Sequence, residues 1–287
     1  MTELIIIGGG PAGVSAALYA LRAGIGVLLL ENGPGALTRA HRIENYYGVT
    51  AAGPDLYQTG LAQAAALGAD IRHEEVLSID YTGSFSVQTA AAIYEAPAVI
   101  LATGTKNATV KAEGLQRLEG HGVSYCAVCD GFFYRGRQVA VLGSGAYALH
   151  EADYLRHLAG SVTVLTNGAD GVAARAAGFS TDERRLQSVN GEEKLSSVTF
   201  ADGTTMPLDG LFIALGTAGS SDMARKLGAM LKGRFIGIDA DGATSIPGLF
   251  AAGDCTGGML QVAKAVYEGA AAGSAAVKYL RTAAAQA

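Results

Sequence analysis

The chain has 287 residues, a formal net charge of −5, 49% hydrophobic and 16% charged residues. So apolar a composition excludes a disordered chain, and the acidic balance argues against a nucleic-acid binder, which needs clustered Lys and Arg. Three cysteines exclude a secreted disulfide scaffold, no apolar run reaches the length of a membrane span, and "MTELIII" lacks the basic region of a signal peptide, so a cytoplasmic protein with no membrane partner is expected.

Taken in chain order, "LIIIGGGPAG" (Leu4 to Gly13) predicts a buried strand, a G-x-G-x-x-G turn and a helix. The first glycine permits the tight turn, the second lets a pyrophosphate approach the backbone, and the third lets helix and strand pack closely. Phosphates then meet the free N–H groups at the helix start. "GVLLLE" (Gly26 to Glu31) is the next strand, and its terminal Glu31 suits ribose hydroxyls. The bland alternative is a glycine turn without ligand and a solvated Glu31. "VILATGT" (Val99 to Thr105) is a further strand ending in a glycine. The plan then recurs: "VAVLGSGAYA" (Val139 to Ala148), "SVTVLT" (Ser161 to Thr166) and "LFIALGT" (Leu211 to Thr217) repeat strand, glycine turn, helix and strands. Last comes "TSIPGLFAAGD" (Thr244 to Asp254) and an alanine-rich helix to about Leu280. The fold class expected is α/β, with two Rossmann-like, doubly wound, three-layer nucleotide-binding domains, the second inserted in the first. The expected bounds are 1–116 and 244–287 for the first domain and 117–243 for the insert. Both joints are glycine-rich or polar.

Within the insert, ahead of its glycine turn, lies "YCAVCDGFF" (Tyr125 to Phe133). A C-x-x-C is a redox dithiol, half a zinc site, or two neighbouring thiols. Zinc needs about four ligands, and neither Cys255 nor His121, His150 and His157 stand at ligand spacing, so no metal is expected. Beside a βαβ pattern in a cytosolic chain the motif reads as redox. Cys255 reads as a small buried thiol.

Taken together, "GGGPAG", "IENYYG", "ILATGT", "CAVCDGFFYRG", the second glycine turn and "TSIPGLFAAGD" resemble the low-molecular-weight thioredoxin reductases over nearly the whole chain. The resemblance implies a homodimer with FAD in the first unit and a redox disulfide, Cys126–Cys129, in the second. It implies that Gly8, Gly10, Pro11, Ala12, Gly13 and Glu31 hold the FAD pyrophosphate and ribose. Val76 would lie along the cofactor, Asn45 near the flavin, and Thr103 and Gly104 at the crossover. Asp254 would hold the ribityl chain, and Gln261 and Val262 the pyrimidine edge, where a helix start favours the reduced ring's negative charge. Cys129 would face the flavin, Cys126 would attack the partner's disulfide, and Asp130 would be the acid for the leaving thiolate. The bland readings are a helix cap for Asp130 and an ordinary helix residue for Gln261.

The second unit departs from the family's pattern. Glu31 and Thr166 stand at equal distances from Gly8 and Gly143, so a threonine occupies the ribose acid's position. Typical members carry H-R-R there for the NADPH 2′-phosphate, whereas this chain reads "LTNGADG" with no Lys or Arg between Arg156 and Arg175. Tyr147 adds a phenol inside the glycine turn. "NYYG" and "CTGGMLQVAKAV" are similar to the pyridine-nucleotide-independent, ferredoxin-dependent flavin thioredoxin reductases. The expectation is electron flow from ferredoxin through FAD to Cys126–Cys129 and a thioredoxin-like protein. Arg39, His41, Arg42, Arg135 and Arg137 are candidates for a basic docking patch or plain surface charges. The alternatives are an NAD(P)H-dependent reductase with an atypical site, or an oxygen-using dithiol oxidase.

Overall fold

A computed structural model describes residues 2–105 and 110–285. Residues 1, 106–109 and 286–287 of the expected domain ranges lie outside the described residues. In chain order the elements are β1 (Leu4–Ile7), α1 (Pro11–Arg22), β2 (Val27–Glu31), β3 (Ile43–Tyr46), β4 (Val49–Ala51), α2 (Gly53–Ala66), β5 (Asp70–His73), β6 (Val76–Tyr81), β7 (Phe85–Thr89), β8 (Ile93–Ala96) and β9 (Ala98–Leu101). There follow β10 (Val123–Ser124), α3 (Ala127–Asp130), β11 (Gln138–Leu142), α4 (Ala146–Arg156), β12 (Ser161–Leu165), α5 (Val172–Ala176), β13 (Ser180–Asp182), β14 (Leu186–Asn190), β15 (Ser197–Phe200), β16 (Thr205–Pro207) and β17 (Gly210–Ile213). The chain ends with α6 (Ser220–Lys226), β18 (Leu231–Lys232), β19 (Phe235–Ile236), β20 (Leu249–Ala251) and α7 (Val262–Ala284).

Two compact units result: Met1–Thr105 with Gly219–Ala287, and Lys106–Ala218. The first is built on a parallel sheet, β20-β9-β1-β2-β5. Its strands "LIII", "VLLLE" and "AVIL" are buried throughout, as expected when helices cover both faces. Ala12, Ala16, Ala272 and Ala276 join Ile6, Leu29 and Ile100 in one core. Alanine and glycine here serve close approach: a Cβ on Gly269 would stand 2.1 Å from the Ala12 carbonyl oxygen, so α7 lies against the start of α1. The antiparallel sheet β6-β7-β8 and the hairpins β3–β4 and β18–β19 complete this unit.

The second unit repeats the plan, with β10-β17-β11-β12-β13 all parallel and an antiparallel sheet β14-β15-β16. The two Rossmann-like domains and the insertion of one in the other are therefore as the repeated motif implied. The contact division, at 105/106 and 218/219, falls earlier in the chain than 116/117 and 243/244 at both joints. The reason is packing. Leu115 and Leu118 sit in the second unit's core, while Ala243 bridges Phe250 on the first unit's β20.

Candidate functional site

The first glycine turn separates structural glycines from an open one. A Cβ on Gly8, at φ +115°, would lie 2.4 Å from the Ala102 carbonyl oxygen, and one on Gly13 would lie 1.8 Å from that of Gly8. Gly10, which caps α1, has nothing within 4 Å of that position. Pro11 opens the helix with its missing N–H, and Ala12 is buried against α7. The protein's own packing thus demands glycine at 8 and 13 but leaves a cradle at 10 that a side chain would fill.

Glu31 is 5% exposed. Its carboxylate accepts hydrogen bonds from the Gly33 N–H at 2.7 Å and the Tyr57 hydroxyl, and it pairs with His73 Nδ1. Burial pushes its pKa up, but these three partners outweigh burial and hold it below the usual carboxylate range. Burial and Glu31 together push the Tyr57 phenol up. Of about four lone-pair sites on a carboxylate, three are taken, which leaves room for one ribose hydroxyl rather than two. His73 reaches Glu31 because β2 and β5 pair in register, a relation no local motif could announce. Val76 is buried at the start of β6, and beside it Glu75 Oε1 is buried with no hydrogen-bond partner. Burial raises that carboxyl's pKa.

The other expected cofactor residues are each held by local contacts. Asn45 Nδ2 donates to Gln261 Oε1 at 2.9 Å, joining the β3 hairpin to the cap of α7, whose first residue is Val262. Thr103 Oγ1 accepts from the Ser220 N–H at 2.9 Å and lies 2.7 Å from its hydroxyl, so the buried first residue of α6 fixes the crossover beside Gly104. Asp254 begins a short turn, and burial raises its pKa against the opposing pull of Lys264. Lys264 Nζ donates to the Gly253 carbonyl and to Thr256 Oγ1, both at 2.8 Å, and pairs with Glu268 at 2.9 Å. Glu268 in turn accepts from the Gly253 N–H at 2.8 Å and the Thr256 hydroxyl at 2.8 Å. Cys255 is buried, its thiol directed to the Leu101 and Ala252 carbonyls, and burial pushes it up to about 12. This is the inert thiol expected. Ser220, Lys264 and Glu268 were not singled out in the sequence; only the i, i+4 spacing of the last two gave a signal.

In the second unit Cys126 and Cys129 are joined in a disulfide. Cys126 caps α3 and its sulfur accepts from the Cys129 N–H at 3.1 Å. Cys126 is buried and Cys129 exposed. Asp130 accepts from the Ser124 hydroxyl at 2.6 Å, and that oxygen accepts from the Cys126 N–H at 3.1 Å. Asp130 stands at the cap position of the 3₁₀ turn that follows it, without a side-chain cap bond. Burial, then Asp130 and Asp209, raise the pKa of Tyr134.

The second glycine turn keeps its backbone plan. Gly143, at φ +155°, would place a Cβ 2.2 Å from the Ala214 carbonyl oxygen, and Gly145 caps α4. Tyr147, which aligns with the buried Ala12 of the first turn, is 0% exposed and is the largest fully buried side chain among the described residues. Thr166 is buried and its hydroxyl donates to the Ala169 carbonyl. One cation does reach this edge: Gly168 packs against Arg185, whose Nε would lie 2.9 Å from a Cβ there. It comes from the segment before β14, so the absence of Lys and Arg in "LTNGADG" understated the local charge. Of the five candidate patch residues, Arg42 pairs with Glu44 at 2.6 Å, Arg137 with Asp209 at 3.6 Å, and Arg135 lies over the Phe132 ring. Among the described residues no group of His, Cys, Asp and Glu could hold a metal, and no helix is long and apolar enough to cross a membrane.

Residues 2–269 match the family model for pyridine nucleotide-disulphide oxidoreductases. The thioredoxin reductase of Listeria innocua is 34% identical, over 97% of this chain and 93% of its own length. The chain belongs to the thioredoxin reductase family. It is a flavin-dependent disulfide oxidoreductase, and its cofactor is FAD. Among solved structures, the atypical thioredoxin reductase TRi of Desulfovibrio vulgaris Hildenborough superposes with a TM-score of 0.93 at 42% identity, covering 98% of this chain and 99% of the other. A ferredoxin-flavin thioredoxin reductase from Clostridium acetobutylicum does so with a TM-score of 0.74 at 31% identity, covering 98% of each chain.

Proposed function

We propose that the chain reduces a thioredoxin-like protein with electrons from a reduced ferredoxin rather than from a nicotinamide nucleotide, and works as a homodimer. The observation that carries this reading is the second unit's ribose position, where the buried Thr166 stands in place of the first unit's Glu31. Thr166, already committed to Ala169, offers no acid to a ribose. The ferredoxin named in the Clostridium structure supports the same reading.

The first unit suits FAD on its own geometry. The open face at Gly10 admits the diphosphate, Glu31 keeps one acceptor for ribose, and the unmet Glu75 oxygen beside Val76 awaits a donor. Gly8, Pro11, Ala12 and Gly13 shape the turn. Thr103, Gly104 and Asp254 would hold the chain between phosphate and ring, and Asn45, Gln261 and Val262 the ring's polar edge. When bound, the flavin accepts electrons singly and releases them in pairs, which couples a one-electron carrier to a two-electron disulfide. The chain's residues do the rest. Once reduced, Cys126 as thiolate attacks the partner's disulfide and forms a mixed disulfide. Asp130, tied to the loop through Ser124, supplies the proton for the departing sulfur. Cys129 then attacks Cys126, which frees the partner's second thiol. Two electrons and two protons have passed to the partner. Exposure alone favours Cys129 as the outward sulfur, so the order of attack rests on the family resemblance and on Cys126 becoming accessible upon reduction.

Arg185 beside Gly168 favours a second reading, an NAD(P)H-dependent reductase with an unusual grip. The test is anaerobic reduction of the holoprotein by reduced ferredoxin and by NADPH in parallel. Rapid bleaching by micromolar NADPH, lost in Arg185→Ala, establishes the second reading and removes the first.

A further inference from the structure

Helix α4 follows the second glycine turn, and its second turn reaches the dithiol loop. Glu151 is 2% exposed, and its Oε2 accepts the Ala127 N–H at 2.9 Å. Ala127 follows Cys126 directly and is itself fully buried. Three backbone N–H groups of the C-x-x-C loop thus have set acceptors. Cys126 donates to Ser124 Oγ at 3.1 Å, Ala127 to Glu151, and Cys129 to Cys126 Sγ at 3.1 Å. The middle one goes to a carboxylate instead of a sulfur. A second acid, Asp130, is joined to the same loop through Ser124.

We propose that Glu151 sets the redox balance of the Cys126–Cys129 couple. It is a positioning residue, acting on the sulfurs through the Ala127 amide and through its charge. A thiolate is stabilised by N–H donors and positive surroundings. Glu151 takes one of those donors and places a negative charge against the loop. The reduced pair is disfavoured, and the dithiol becomes a stronger reductant of its partner. The same contact gives α4 a role apart from nucleotide binding: the helix anchors the dithiol loop. The inference rests on Cys126–Cys129 being the working couple, and is independent of the electron donor.

The experiment is exchange with glutathione, read without turnover. The protein disulfide takes two electrons and two protons from two glutathione thiols, which join as glutathione disulfide. Holoprotein is equilibrated anaerobically across graded glutathione ratios, quenched with an alkylating reagent, and scored by mass for labelled Cys126 and Cys129, so the flavin's own reduction does not enter. Glu151→Gln keeps an oxygen for the Ala127 N–H and removes the charge. It is expected to shift the equilibrium toward the dithiol about tenfold, a potential about 30 mV less negative. Glu151→Ala removes the charge by a different route and has to shift in the same direction, so either neutral variant suffices if the other does not fold. Glu151→Asp keeps the charge and is expected to stay within about threefold of the parent. A neutral variant within threefold of the parent, or an Asp variant that moves as far as Gln, overturns the proposal. Failure of the underlying couple shows separately, as full thioredoxin reduction by Cys126→Ser.

Discussion

Single residues at the two sites differ in what a substitution would break. Gly10→Val adds a branched side chain where the protein places nothing, so its flavin-free form should melt with the flavin-free parent while the variant loses most of its flavin, read as the yellow absorbance per chain. Retained flavin would show that the phosphate lies elsewhere. Gly13→Ala should instead destabilise the fold itself, because its methyl meets the Gly8 carbonyl. The three glycines read alike in the sequence, and only the backbone around them tells them apart. Cys126→Ser and Cys129→Ser should each abolish disulfide reduction while keeping the flavin, whereas Cys255→Ser, whose parent thiol is buried and raised to about 12, should turn over normally. Glu31 carries a pH dependence of known sign. Its folded pKa lies below the unfolded value of about 4.3, so it stabilises the fold above that pH and ceases to do so as pH falls through the lowered value. Thermal melts of Glu31→Gln should therefore show a shallower loss of stability on the acid side than the parent. An identical acid limb in both would mean that the Tyr57, His73 and Gly33 bonds do not favour the ionised form.

Elements matter here through the partners they bring from far along the chain. The turn bearing Asp254 is held by two residues of α7, Lys264 and Glu268, with 14% and 17% of their side chains exposed. Removing one member of a mostly buried pair leaves the other uncompensated, so Lys264→Met and Glu268→Gln should each cost about 2–3 kcal/mol in denaturant melts, somewhat less than a fully buried pair. The double variant should recover part of that loss, and a strictly additive double would mean that the two side chains act separately. The sequence shows the helix, its alanine-rich packing face and the acid before it, since each follows from local spacing. It does not show the clamp, because the Gly253 carbonyl and Thr256 meet Lys264 only once the turn folds back on the helix. The same limit applies to His73 on Glu31, Ser220 on Thr103 and Glu151 on Ala127: strand register or helix packing makes each contact. The antiparallel sheets β6-β7-β8 and β14-β15-β16 also carried no motif and were not anticipated.

At the scale of the molecule, one nucleotide-binding plan occurs twice with different fates. The repeated strand, glycine turn and helix made the two domains and the insertion legible from the sequence alone. The joints were less so, because Leu115 and Leu118 are apolar residues whose partners, Val123 and Leu195 among them, become known only in the folded core. The first copy carries Glu31 at the end of its second strand; the second carries the buried Thr166 there, a buried Tyr147 where the first has Ala12, and holds the dithiol loop through Glu151. A nucleotide lacking two or three charged hydrogen bonds, each worth about 1.5–3 kcal/mol, loses several powers of ten in affinity. The donor is therefore the central claim, and anaerobic titration of the holoprotein measures it most directly, with flavin absorbance and alkylated Cys126 and Cys129 followed together. Reduced ferredoxin should bleach the flavin and convert the disulfide to two thiols, while NADPH at millimolar concentration leaves both oxidised. Complete reduction by micromolar NADPH, with ferredoxin inert, would contradict the account.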